Sequence, residues 1–199
     1  MATTACCGRW RTCWRRHCRG RSRRGGRGLE GGGLKAGGLK AGGLSGSSVE
    51  RVRAALLAAG HADTIRAFPE GTRSAADAAA AVGCDVAAIA KSIVFRAGAR
   101  PVLAIASGAN RVDMAKVAAA TGLAVKRADG GWVRDVTGFA IGGVAPVGHL
   151  TPPLVVLDAD LLALERVWAA AGSPMHVFET TPAALLHLTA GSAADIRED

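Results

Sequence analysis

Apolar and polar positions divide the chain into two unlike parts, and only the part from Ser48 onward shows regular spacing. There Val49, Val52, Leu56 and Ala59 fall on one face of a helix that Ser48 caps and Gly60 stops. Thr64 to Phe68 reads as a strand and Pro69-Glu70-Gly71 as a turn. Ser74 and Asp77 stand at capping-box spacing ahead of a helix that ends at Gly83. A short helix is expected from Asp85 through Ala90. The apolar, β-branched run Lys91 to Arg96 then reads as a buried strand. Gly98-Ala99-Arg100-Pro101 turns it into a second strand, Val102 to Ala106, which makes a hairpin.

The same reading continues to the end of the chain. Asp113 caps a helix to Thr121 that Gly122 stops. Val125 to Arg127 is a short strand, Gly130 to Val136 a short helix or turn, and Phe139 to Ile141 leads into a glycine-rich loop. Leu154 to Leu157 is a strongly apolar strand ending at Asp158, while Leu161 to Ala170 suits helix or strand equally. His176 to Glu179 is another strand. Thr181, with Pro182 at the first helical position, opens a last helix through Leu188. Hairpins mixed with helices, without regular βαβ alternation, predict an α+β single domain with one curled mixed β-sheet flanked by helices.

Composition changes the picture chiefly before Ser48. The chain of 199 residues carries a net charge of +9. Nine arginines, two lysines and one glutamate in residues 1–48 supply more than that whole excess, and the remainder is slightly acidic. Residues 20–48 are rich in Gly and Ser and repeat Gly-Gly-Leu-Lys-Ala. Such a segment buries too little apolar surface to offset its backbone entropy. Residues 1–47 are therefore expected to be a disordered Arg/Gly-rich tail and linker, and 48–199 the folded domain. No apolar stretch is long enough for a membrane span, and none resembles a secretory h-region. Four of the five cysteines lie in the tail, which suits a reducing compartment and a cytoplasmic location. The alternative is an organelle, with the Arg-rich start as transit peptide. Cys13, His17 and Cys18 lack metal-site spacing, and neither metal nor cofactor is expected.

Three small-residue segments hold the candidate chemistry. Lys91 stands at the mouth of the β-branched run Ile89-Ala90-Lys91-Ser92-Ile93-Val94-Phe95, where a point-like ammonium suits a phosphate or carbonyl oxygen. Ser107-Gly108-Ala109-Asn110-Arg111-Val112-Asp113 is a turn into a helix. Ile141-Gly142-Gly143-Val144-Ala145-Pro146-Val147-Gly148-His149 closes a strand with a glycine loop. Gly142, Gly143 and Gly148 are expected to provide a tight turn with positive φ. They also let a substrate approach backbone N–H groups able to stabilise an oxyanion. His149 follows the loop, and Asp158 ends a buried strand, where a carboxylate either caps or binds. No Ser/His/acid set, H-x-x-x-H or C-x-x-C is present.

In this order and spacing the three segments resemble the YbaK/EbsC family, free-standing aminoacyl-tRNA deacylases related to the editing insertion of bacterial prolyl-tRNA synthetases. The resemblance runs from about Ser48 to Asp195 and implies a strand near Val167 to Ala170 preceded by a helix. It implies that Lys91, in a K-[ST]-[LIV] motif, holds the aminoacyl or terminal-adenosine end of tRNA, with Gly142, Gly143 and Gly148 as the catalytic loop. It also places Ser107, Gly108 and Asn110 on the pocket rim, and His149 and Asp158 beside substrate. Two positions depart from the family. Ala145 stands where a Ser or Thr is usual, and Phe68 where some relatives carry Tyr, so catalysis must rest on backbone and water. The implied activity is trans-acting hydrolysis of a mischarged aminoacyl-tRNA of the tRNA-Pro type. The partners would be aminoacyl-tRNA and a cognate synthetase, with no membrane and with the oligomeric state open. A catalytically inactive module binding tRNA or aminoacyl ends, and a hydrolase of another small acyl substrate, are the alternatives. The folded part has no broad positive field to draw in tRNA, so Arg111, Lys116, Lys126 and Arg127 are the candidate local patch.

Overall fold

The computed structural model describes residues 47–68 and 74–199; the expected tail up to residue 46 and the turn at 69–71 lie outside the described residues. Helix α1 (Ser48–Ala58) is capped by Ser47 rather than by Ser48: the Ser47 hydroxyl accepts the Glu50 N–H at 3.3 Å. Ser48 is freed for a tertiary role, and its hydroxyl donates to the Gly172 carbonyl at 2.6 Å. After β1 (Ile65–Ala67), helix α2 (Ala75–Val82) carries the expected reciprocal Ser74/Asp77 capping box. The helix expected from Asp85 through Ala90 is only a 3-10 turn at Val86–Ala88. Ile89 is already extended and opens β2 (Ile89–Ala97), because its sheet partners outweigh a helix too short to sustain itself.

Strand β3 (Arg100–Ser107) completes the expected hairpin, with Lys91 opposite Ala106 and Ile93 opposite Ala104. Helix α3 (Met114–Thr121), capped by Asp113, β4 (Lys126–Arg127) and α4 (Gly130–Thr137) follow. Beyond the glycine loop come β5 (Leu154–Asp158), β6 (Val167–Ser173), β7 (His176–Thr180), α5 (Pro182–Thr189) and β8 (Ser192–Ala194). The helix implied before β6 is a 3-10 turn at Ala159–Ala163, which Asp158 caps through the Asp160 N–H. The short strand β8 carried no signal in the sequence.

The eight strands form one open mixed sheet in the order β1-β7-β6-β2-β3-β5-β8, with β4 alongside β2. Pairings β2–β6, β3–β5 and β5–β8 are parallel and the rest antiparallel. Strand β3 is buried continuously from Pro101 to Ser107 because both of its faces are covered. Leu103 and Ile105 pack with Val52, Leu56, Phe139 and Phe178, whereas Val102, Ala104 and Ala106 pack with Val117, Val156 and Ile196.

Strand β2 has β3 on one side from Ala90 to Ala97. On the other side it has β6 only at Ile89–Ala90 and β4 only at Phe95–Arg96. Lys91 to Val94 therefore have no strand neighbour on that side. That break in the sheet positions the site.

Candidate functional site

A cavity of about 570 Å³ opens at the break, lined by β2 from Lys91 to Phe95 and by Ile141, Gly142 and Val144 of the glycine loop. Its volume falls in the range of small-molecule sites. Met114 and Val133 add apolar wall, and Arg111 and Arg127 bring two guanidinium groups to its lining. Neither arginine makes an ion pair with a described residue. The cationic patch read from the sequence is thereby divided. Arg111 and Arg127 line the cavity, Lys126 lies exposed on β4, and Lys116 is tied to Asp195 and Asp199.

Lys91 is half-buried, and its ammonium donates to the carbonyls of Gly108, at 3.3 Å, and Asn110. Burial pushes its pKa down, the Asp158 carboxylate draws it up, and Arg111 pushes it down. Two carbonyls and a distant carboxylate orient the charge without neutralising it in an ion pair. The ammonium keeps its attraction for an oxygen of a ligand.

The turn that supplies those carbonyls is itself tied down. Asp158 is buried at the end of β5, and its Oδ2 accepts from the Ser107 N–H at 3.2 Å and the Asn110 amide at 2.7 Å. Ser107 Oγ donates to the Ala87 carbonyl at 2.9 Å. Gly108 is required by close approach: a Cβ there would lie 2.3 Å from the Val86 carbonyl oxygen. Ser107, Gly108, Asn110 and Asp158, read from the sequence as substrate-binding, therefore form one framework that aims Lys91. None of the four lines the cavity itself.

The glycine loop divides similarly. Gly142 lines the cavity with φ of +85°, as the sequence anticipated. Gly143 differs from expectation in two respects: its φ is not positive, and its N–H donates to the Ala140 carbonyl at 3.0 Å. It is small because a Cβ would come within 2.6 Å of the Ser173 Cα. Gly148 turns with φ of +78° on the other side of the loop, against the backbone of Arg51 and Val52. Arg51 clamps the loop from α1, donating to the Gly138 carbonyl at 2.7 Å and lying over the Phe139 ring. Ala145 is fully buried in the main apolar cluster, so nothing at that position reaches the cavity.

His149 also lies away from the cavity. Its ring packs edge-on against Phe139, 5.3 Å between centroids, beside a separate apolar cavity of about 270 Å³. Both ring nitrogens are buried without a hydrogen bond to any described residue. Burial lowers its pKa to about 4, against the partial pull of the Ala145 and Pro146 carbonyls. It is a neutral packing residue at neutral pH.

Two cavity residues carried no assigned role in the sequence reading. The Ser92 hydroxyl is buried and lacks a hydrogen-bond partner among the described residues. Its only signal was its place after Lys91. Glu198 reaches the cavity from the far end of the chain, with no local motif to announce it. Among the described residues no three of His, Cys, Asp and Glu gather as a metal site.

Known proteins share this sequence and fold. The chain is 43% identical to a protein whose crystal structure was described as that of a proposed trans-editing enzyme for prolyl tRNA synthetase. The match has a TM-score of 0.73 and covers 77% of this chain and 99% of that one. A scaffold from epitope backbone grafting by computational design matches at 42% identity and a TM-score of 0.73, covering 76% of this chain and 98% of that one. The uncharacterized protein YwhH of Bacillus subtilis (strain 168) is 30% identical over 136 residues, 68% of this chain and 87% of YwhH. Residues 69–188 match the model of the aminoacyl-tRNA editing domain, which contains β2, the Lys91 turn and the glycine loop. The resemblance of those segments thus rests on the whole domain, and the chain belongs to the aminoacyl-tRNA editing domain family.

Proposed function

We propose that this protein is a trans-acting editing hydrolase that removes the amino acid from mischarged tRNA, with a tRNA of the proline type as carrier. One observation carries the reading: a carbonyl-oriented, ion-pair-free ammonium, Lys91, sits where a break in the sheet opens a cavity against a glycine loop. That arrangement suits a small acyl ester joined to a polyanion. The flanking Arg111 and Arg127 hold the oxygen-rich terminal nucleotide, the Lys91 ammonium faces the ester, and the apolar walls take the amino-acid side chain.

In this mechanism water attacks the ester carbonyl carbon. The developing oxyanion is stabilised by the Lys91 ammonium and by backbone N–H at Gly142; Gly143 is excluded, because its N–H already serves Ala140. The ester C–O bond then breaks, and the released ribose oxygen takes the proton that the water gave up, relayed through the neighbouring ribose hydroxyl. An aminoacyl ester is already activated, so no general base need be supplied by the protein. A second sieve is needed because a synthetase pocket separates amino acids differing by one methylene by only about 1–3 kcal/mol.

The test is hydrolysis of tRNA-Pro charged with Cys, Ala, Ser or Pro, and of tRNA-Cys charged with Cys, comparing the protein with its Lys91→Ala variant. Selective release that the substitution abolishes is the expected result. Binding without release from any ester would replace the reading with a tRNA-end binding module. Absence of both would remove aminoacyl-tRNA as the ligand.

A further inference from the structure

The cavity's charged lining is lopsided. Among its lining residues are three cationic ones, Lys91, Arg111 and Arg127, and one acidic one, Glu198, which lies exposed at the rim. Glu198 belongs to the segment Asp195–Asp199, beyond the residues 69–188 that match the family. That segment is stitched along the start of α3. The Asp113 N–H donates to the Ile196 carbonyl at 2.8 Å, the Glu198 N–H donates to the Arg111 carbonyl at 2.9 Å, and Val112 bridges Arg197. Ile196 is fully buried beneath it. The other charges of the segment are committed outside the cavity: Asp195 and Asp199 to Lys116, and Arg197 to Asp160 at 3.0 Å. Only the Glu198 carboxylate makes no ion pair or hydrogen bond with a described residue.

An aminoacyl-tRNA presents phosphate and ribose oxygens, and beside the reacting ester one cation, the α-ammonium. Three cations match the former and repel the latter. The geometry points to Glu198 as the acceptor of the substrate's α-ammonium, a specificity-determining residue by which the site takes esters of free amino acids and rejects N-acylated ones. This rests on the editing reading and deepens it. A charge-assisted bond between ammonium and carboxylate exceeds a neutral one, and its loss here leaves the ammonium facing positive charge alone.

Binding tests the inference independently of turnover. The probes are 3′-alanylamino-3′-deoxyadenosine, an amide that resists hydrolysis, and its N-acetyl form, titrated by calorimetry into the protein and into Glu198→Gln. Glutamine keeps the length and the backbone bond to Arg111, so the segment stays in place. The free-amine probe is expected to bind Glu198→Gln about tenfold more weakly or worse, with the N-acetyl probe unchanged. Its affinity for the unaltered protein should fall as pH rises through the α-amino titration, and in the variant, where the amine faces only the three cations, that fall should be lost or reversed. Equal loss for both probes, loss for neither, or failure of the unaltered protein to bind the free-amine probe would overturn the assignment. A protein that binds the probes as expected but releases no amino acid from any charged tRNA would keep the assignment and remove the hydrolytic reading.

Discussion

Acid should expose the cost of holding His149 neutral. In the folded protein burial lowers its pKa to about 4, whereas in the unfolded chain the imidazole titrates near its ordinary 6.5. The depressed value belongs to the folded state, so as pH falls it is the unfolded chain that takes up the proton first. Stability from this residue is therefore full above about pH 6.5 and is lost as pH falls toward 4. At about pH 5 the difference is roughly 1.5 pH units at 1.36 kcal/mol each, or about 2 kcal/mol. Urea unfolding at about pH 7.5 and about pH 5, on the protein and on His149→Phe, isolates this contribution, because His17, His61, His176, His187 and every carboxylate are common to both. Phenylalanine preserves the edge-on packing against Phe139 and has the adjacent cavity to relax into. The variant should lose about 2 kcal/mol less than the parent between the two pH values. Equal losses would refute the reasoning, as would an NMR titration of the ring with a midpoint near 6.5.

Other substitutions test the framework around Lys91. Asp158→Asn turns one of the two acceptor oxygens into an amide donor, so the bonds from Ser107 and Asn110 to Oδ2 and from the Asp160 N–H to Oδ1 cannot all survive; it should cost about 1.5–3 kcal/mol in denaturant unfolding. It should also lower the pKa of Lys91 further by removing the carboxylate that raises it, visible as a shift toward lower pH in the alkaline limb of the hydrolysis profile. Gly143→Ala drives a Cβ into the Ser173 backbone and should destabilise by about 1–3 kcal/mol, with slower release of amino acid from charged tRNA. Ser74→Ala removes one half of the α2 capping box and should lower stability by about 1 kcal/mol without changing turnover. Deleting residues 1–47 should weaken tRNA binding and flatten its dependence on salt, measured by titration at several salt concentrations; an unchanged slope would assign the phosphate contacts to the domain alone.

Features set by neighbouring residues could be read from the sequence. The Ser74/Asp77 box, the Asp113 and Thr181 caps, Pro182 at a helix start and the β2–β3 hairpin all depend on groups close along the chain. The motifs around Lys91 and Gly142 belong to this class, and the family followed from them. Where a local signal competed with a distant partner, the distant partner prevailed. Ser48 gave up capping to bond Gly172, 124 residues away, and of the stretch expected to be helix, Ile89 and Ala90 became strand, where β6 pairs with them. Gly143 is small because of Ser173, not because of its own dihedral angles.

Taken alone, the sequence determined the α+β class, most of the element order, the two segments that flank the cavity and the lysine at its mouth, because each is written in contiguous residues. The tertiary structure alone decided what those segments enclose. Partners far along the chain leave β2 uncovered from Lys91 to Val94, aim Lys91 through Asp158, bury His149 away from the opening, and bring Glu198 to it from beyond the matched domain. Contacts of that separation follow from how the sheet closes its core, and no local pattern of residue types encodes them.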